Sequence, residues 1–393
     1  IPGWLGKRYK SKNFAIYFSL INLFSFAFLV LLVGGISIVM QELLDINNIT
    51  ALAITLIFVS MYVIMGGTYA HVFTNMLQGS LMIIVSVIVV ISGMIYMMET
   101  PDFWQQIIEK DPNLISWVNP ESVLYNNYFS VYISGFLIGA ALVCQPHILT
   151  KALYVKSNKD VSRYLLVFSL VYILFTFLLM AGFWAILKVP PENLMDPVSG
   201  EFRQDLVMTG YLSISFPKWL FTIISVVLLA AAMSTLDGLM VGLSTIMAHD
   251  FFVNIFEKVK HVDKTEREEF NMAFKASHII LVIMAISCFL VSIKPPKLLG
   301  IFGQFGVYAL LLPSLTPLLM GMYFKKPSLI LAWIASAIAI SIYSILYFFG
   351  DKIFPDTEFT FANPAVPASI AILFSLIPSL LISIIREKRY NYA

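Results

Sequence analysis

The sequence predicts an all-α polytopic membrane protein, and three observations carry that prediction. Of the 393 residues, 59% are hydrophobic and only 12% are Asp, Glu, Lys or Arg, where a soluble domain carries roughly 25% charge. A mean hydropathy of +0.85 with 14% aromatics leaves more apolar area than one soluble core can bury, so lipid must solvate much of the surface. Ten apolar runs free of Lys and Arg divide the chain. Each is long enough to cross about 30 Å of hydrocarbon as a helix. Lipid admits only helices and closed barrels, and the alternating short strands of a barrel are absent.

The first run, Phe14 to Met40, follows a basic loop. Ile49 to Gly67 and Asn75 to Met98 flank a short loop that holds His71. Tyr128 to Ile148 contains Gly135, Gly139 and Pro146, with polar Gln145 just before the proline. Interrupted helices line substrate cavities in transporters, whereas Gly135 and Gly139 also form a GxxxG packing pair; both readings stand. The remaining runs are Tyr164 to Leu187, Trp219 to Ala248, Ser277 to Ile293, Leu299 to Phe324, Ser328 to Gly350 and Pro364 to Ile385. Between them, Phe103, Trp104, Ile107 and Ile108 are spaced as an apolar stripe on a short surface helix. The charged stretch from Asp250 to Lys275 reads as a solvated helical connector.

Taking alternate loops, 18 of the 25 Lys and Arg fall on one side and 7 on the other. The positive-inside rule then places both chain ends in the cytoplasm and makes 99–127 and 188–218 the long outer loops. Trp184 and Trp219, near outer span ends, fit an interfacial aromatic belt. Net charge is +2 with no basic run or stacking motif, which argues against nucleic-acid binding. Cys144 and Cys288 both sit in apolar runs, so neither a disulfide framework nor a zinc site is expected.

Enzyme constellations are missing: there is no HExxH, GxSxG or phosphate loop, and the five histidines are scattered. One formally charged side chain lies within the ten spans, Asp237, about midway between Trp219 and Ala248. A carboxylate at that depth costs about 2.5 to 3.5 kcal/mol on insertion scales, so it should face a cation, a proton path or a polar partner. Around it, the stretch Ala230 to Gly238 packs small residues and oxygen donors. Ser234, Thr235 and Asp237 supply hydroxyl and carboxylate oxygens, and Ala231 a carbonyl one turn before Thr235, a set suited to a hard cation such as sodium. Equally, Ser and Thr can bond back to the preceding turn while Ala and Gly allow close helix packing.

Four elements in order resemble the sodium:solute symporter family, which includes bacterial proline, pantothenate, sugar and sialic acid carriers. They are Pro2 to Tyr9 (PGWLGKRY), Gly66 to Ala70 followed by Thr74 to Gln78, Gln145 to Ile148, and Ala230 to Asp250. The resemblance implies a LeuT-like core of two inverted five-helix repeats with solute and sodium held midway across, forming a single transporter domain over 1–393. It also implies that the sequence starts at core helix three, with the N-terminal helices absent. In such carriers sodium sits between core helix one and core helix eight, where the equivalent positions here are Ala231, Ser234 and Thr235. Many members have Thr-Asp where this chain has Thr74-Asn75. The resemblance therefore suggests a carboxylate swap, in which Asp237 supplies the charge that Asn75 lacks on a second cation path. Ala141, Leu142 and Val143 replace the aromatics of sugar carriers, and Gln145-Pro146-His147 is similar to the proline and pantothenate branch. Gln145 and Gln304 are then the substrate candidates, for a small carboxylated or zwitterionic solute.

The expected function is sodium-coupled symport by alternating access, with no covalent chemistry, in the plasma (cell inner) membrane. Partners are the solute and the lipid bilayer, with no nucleic acid and no obligate protein partner. Two alternatives remain: proton coupling through Asp237, and a sensor that retains the carrier fold.

Overall fold

The computed structural model describes residues 2–145, 148, 155, 157–195, 200, 202–249, 266–296 and 298–391, with backbone alone for 66–74, 266, 269 and 389–391. In chain order the helices are α1 (Pro2–Arg8), α2 (Lys12–Ile21), α3 (Phe26–Leu44), α4 (Asn48–Glu99), α5 (Phe103–Lys110), α6 (Ser134–Leu142) and α7 (Asn158–Phe177). They continue with α8 (Ala181–Lys188), α9 (Val207–Ser215), α10 (Lys218–Ile246), α11 (Glu266–Ser292), α12 (Leu299–Tyr323), α13 (Leu329–Ile353) and α14 (Ala365–Asn391). Side chains start several of these: Asn47 accepts from the Thr50 amide ahead of α4, Ser157 from Asp160 ahead of α7, and Ser328 from Leu331 ahead of α13. Each satisfies a backbone donor that the first helical turn leaves open.

Among the described residues, nine stretches are long and apolar enough to cross a membrane, and they match nine of the ten runs. The tenth run is shorter than expected. A 5-residue π-helical stretch, Phe129–Ile133, leads into the 9 residues of α6, together about 21 Å at 1.5 Å per residue. That falls short of the hydrocarbon thickness. The helix stops at Leu142, just ahead of the Gln145-Pro146 element; Pro146 and His147 lie outside the described residues.

A second difference concerns α4. Its 52 residues would measure about 78 Å if straight, and it contains two spans, Asn48–Met65 and Asn75–Glu99. The loop expected around His71 is instead continuous helical backbone. No proline interrupts the hydrogen-bond ladder there, and Gly66 and Gly67 weaken a helix without breaking it.

The three largest apolar clusters among the described residues organise the interior. The first joins α3, the first span of α4, α10 and α11 through Val33, Leu52, Val59, Leu236 and Leu281. The second joins α6, α12, α13 and α14 through Ala141, Leu311, Tyr343 and Ala368. Phe28 of α3 packs against both. Helix α12 is the most deeply buried span, and its glycines explain how neighbours reach it. A Cβ on Gly306 would stand 2.4 Å from the Phe24 carbonyl oxygen, and one on Gly303 would stand 2.4 Å from Leu31. Prolines 313 and 317 remove two amides from α12; the Pro313 carbonyl, which loses its donor at 317, accepts from Ser336 Oγ at 2.8 Å. Tyr9 Oη donates to the Pro317 carbonyl at 2.8 Å, and burial raises the Tyr9 phenol well above its ordinary value.

The third cluster, on the expected outer side, corrects two sequence expectations. Trp184 is fully buried, not part of an interfacial belt. Gly93 on α4 leaves a gap that its ring fills, since a Cβ there would lie 2.3 Å from the indole. Hydropathy near a span end says nothing of whether a neighbouring helix offers such a gap. Trp219, by contrast, is exposed, as an anchoring residue should be. Helix α5 forms where the stripe predicts, yet Phe103 and Ile107 are buried against Trp184 and Tyr211, leaving Trp104 outside.

Candidate cation and solute site

Helix α10 carries the charged and hydroxyl residues singled out above, and the two spans of α4 hold it from different positions. Asp237 is 2% exposed, flanked by the buried apolar residues Leu236, Leu239 and Met240. Its Oδ2 accepts a hydrogen bond from Tyr62 Oη at 2.9 Å. The same phenol lies 3.4 Å from the Met233 carbonyl, one turn earlier on α10. A carboxylate that accepts hydrogen bonds is far less costly to bury than a bare one. Three residues before Asp237, Ser234 Oγ donates to Asn75 Oδ1 on the second span of α4. The second span of α4 therefore meets α10 through Asn75 at Ser234, and the first span meets it through Tyr62 at Asp237.

Thr235 takes the local option. Its Oγ1 donates to the Ala231 carbonyl at 3.4 Å, and its side chain is exposed. Of the two sequence readings for these hydroxyls, back-bonding describes Thr235 and a reach to another helix describes Ser234. The Ala231 oxygen and the Thr235 hydroxyl thus lie together on one turn. A threonine hydroxyl has two lone pairs and rotates to suit its partner, so the Thr235 oxygen can turn to a cation.

The substrate candidates lie on the other cluster. Gln145 is buried, at 6% exposure, just past the end of α6. Its neighbour Cys144 packs in the cluster that holds Val307, Tyr308 and Leu311 of α12. Gln304, half-buried on α12, falls between Phe302, which packs on the α10 cluster, and Phe305, which packs on the α6 cluster. It therefore stands at the seam between the two halves of the interior. The sequence missed Tyr62, because a tyrosine within an apolar run reads as core; its phenol, which needs a partner when buried, was the available signal.

Three comparisons bear on this arrangement. A solved structure of a Na+-coupled sialic acid symporter, in a substrate-bound outward-open state, matches with a TM-score of 0.69 at 16% identity, covering 97% of this chain and 76% of that one. That likeness establishes the fold, a LeuT-like helical core. A sodium/pantothenate symporter of Haemophilus influenzae is 23% identical over 350 residues, which is 88% of this chain and 68% of that protein. The family model for sodium:solute symporters matches residues 1–338, and with that span matched the chain belongs to the sodium:solute symporter family, a multi-pass membrane protein that couples the import of a solute to sodium.

Proposed function

We propose that this transporter binds its coupling sodium on α10, through the Ala231 carbonyl and the Ser234 and Thr235 hydroxyls, with Asp237 as the nearby charge that holds a cation at mid-membrane. The observation that supports this most is the buried Asp237 carboxylate, hydrogen-bonded by Tyr62 one turn from the Ser234–Asn75 bond. Neutral oxygens with one carboxylate suit a hard monovalent cation and offer nothing to a soft metal. Asn75, bonded to Ser234, and Asp237 would line the second cation path, the carboxylate compensating for the amide. Sodium binding draws these hydroxyls toward the ion and favours the solute-competent arrangement; the sodium gradient then drives uptake through that differential affinity.

For the solute we propose a small carboxylated or zwitterionic compound, contacted by Gln145 and Gln304. The support is the likeness to a pantothenate carrier and the fold of a sialic acid carrier, together with the aliphatic Ala141, Leu142 and Val143 in place of stacking aromatics. The whole chain acts as one transporter domain in the cell's inner membrane, with both ends on the basic, cytoplasmic side and no covalent chemistry.

The decisive experiment is uptake by cells expressing the protein, with Asp237→Asn beside wild type. Candidate solutes are first ranked by the thermal stabilisation they give with and without sodium, since a true ligand stabilises by mass action. Loss of sodium-dependent uptake in the variant at normal expression is the expected result. Unchanged uptake and unchanged sodium dependence would remove Asp237 from the site. Uptake that follows a pH gradient without sodium would assign the carboxylate to protons.

A further inference from the structure

The loop between α12 and α13 and the last turns of α14 enclose a cavity of about 130 Å³ on the lysine-rich side of the molecule. Lys325, Lys326 and Arg386 line it with Ser328, Ser383 and Glu387. Three of these side chains are cationic and one is anionic. Glu387 is tied down, its Oε1 accepting from the Lys325 amide at 3.3 Å, whereas Lys325 and Arg386 are exposed. The backbone adds to the positive field. Helix α13 starts here, with Ser328 as its cap, and the start of a helix attracts anions. The opposing negative end of α12 is neutralised: Arg8 donates to the Gly321 carbonyl at 2.7 Å, the Phe324 carbonyl at 2.5 Å and the Lys325 carbonyl at 3.2 Å.

What surrounds the cavity limits what fills it. Ile330 and Ile334 on the first turns of α13, and Ile382 and Ile385 on the last turns of α14, are exposed. Between apolar flanks and a basic loop the cavity lies at the membrane–water boundary. It has room for a phosphate group, and the exposed isoleucines give acyl chains a surface. We propose that this cavity is a binding site for an anionic phospholipid of the cytoplasmic leaflet, whose phosphate is held by Lys325, Lys326 and Arg386. Basic pockets between membrane helices recognise anionic headgroups in this way. The lipid would tie the loop between α12 and α13 to the end of α14, and so fix the cytoplasmic end of α12.

The test titrates phosphatidylglycerol and phosphatidylcholine into the detergent-solubilised protein, following bound lipid by native mass spectrometry and stability by thermal unfolding. Wild type should prefer phosphatidylglycerol. The variant K325Q/K326Q/R386Q should lose affinity by about fivefold for each cation removed, while K159Q/R163Q/K275Q, equal in charge and on the same side, should bind as wild type does. E387Q should tighten binding about fivefold by removing the one lining anion; this variant decides the question alone if the triple variant does not fold. No preference for phosphatidylglycerol, equal losses in both triple variants, or weaker or unchanged binding in E387Q would overturn the proposal. So would millimolar inorganic phosphate displacing the lipid, which would make the site one for a free anion.

Discussion

Tyr62 donates a hydrogen bond to a buried carboxylate, and the value of that bond can be measured by removing one oxygen. Tyr62→Phe keeps the ring and its contacts and deletes the donor at 2.9 Å. A hydrogen bond to a charged group contributes about 1.5 to 3 kcal/mol, so the variant should unfold at lower temperature. If Asp237 acts on the cation, the variant should also change the sodium concentration that half-saturates uptake. Asp237→Asn should remove that dependence altogether. A loss of stability with sodium activation untouched would make the pair purely structural. The Ser234–Asn75 bond is independently testable: S234A, N75A and the double variant form a cycle, and contacting residues give coupling energies of about 0.5 to 3 kcal/mol. Additive effects on uptake and on thermal stability would show that the two helices do not communicate through this bond. At this scale the sequence was informative about chemistry and silent about partners. Asp237 stood out because it is a lone charge in an apolar span, whereas nothing in the sequence paired it with Tyr62 or paired Asn75 with Ser234. Both contacts are long-range and depend on how α10 lies against α4.

Helix by helix, the spans were legible because lipid removes the need for a second signal: an uncharged run of sufficient length is a helix. Boundaries and packing faces were less so. The joined spans of α4 and the shortened α6 differ from expectation because breaks depend on local hydrogen bonding that hydropathy does not register. Trp184 was misassigned for a related reason, as its burial depends on Gly93 of another helix. The glycines of α12 make the packing argument quantitative. Gly306→Ala sets a methyl 2.4 Å from the Phe24 carbonyl oxygen and from Ala27, and backbone cannot move aside as a flexible side chain can. The cost should reach about 1 to 3 kcal/mol, as overpacking does, seen as a lower unfolding midpoint in detergent. Gly300→Ala on the same helix meets nothing within 4 Å; it should be neutral or stabilise by up to about 1 kcal/mol, as alanine does in a helix. Equal effects at both positions would show that α12 does not touch α3 as described.

For the molecule as a whole, the charge count makes the most general prediction, because it fixes which ends of nine described spans share a side. Lys159 in the first turn of α7, Lys275 on α11, Lys326 ahead of α13 and Arg386 on α14 all belong to the richer side of the 18-to-7 division. The loop holding Asp111 and Glu121 and the end of α13 at Lys352 belong to the other. The two native cysteines are buried, so their replacement by alanine gives a background for reporters. Cys144 and Cys288 pack in two different clusters, so the background variant should fold with a modest loss of stability and retain uptake. Single cysteines at positions 111, 121 and 352 should then react in intact cells with a membrane-impermeant thiol reagent. Those at 159, 275, 326 and 386 should react only after the membrane is opened. The moderate bias of a single loop can be overridden, but agreement among seven positions cannot arise from an inverted protein. The reverse labelling pattern would place the chain ends outside, put the basic cavity beside α13 in the outer leaflet, and remove the cytoplasmic lipid as its occupant. A mixed pattern, with 326 and 386 labelled on opposite sides, would contradict the fold itself, since Lys325 and Glu387 are hydrogen-bonded neighbours.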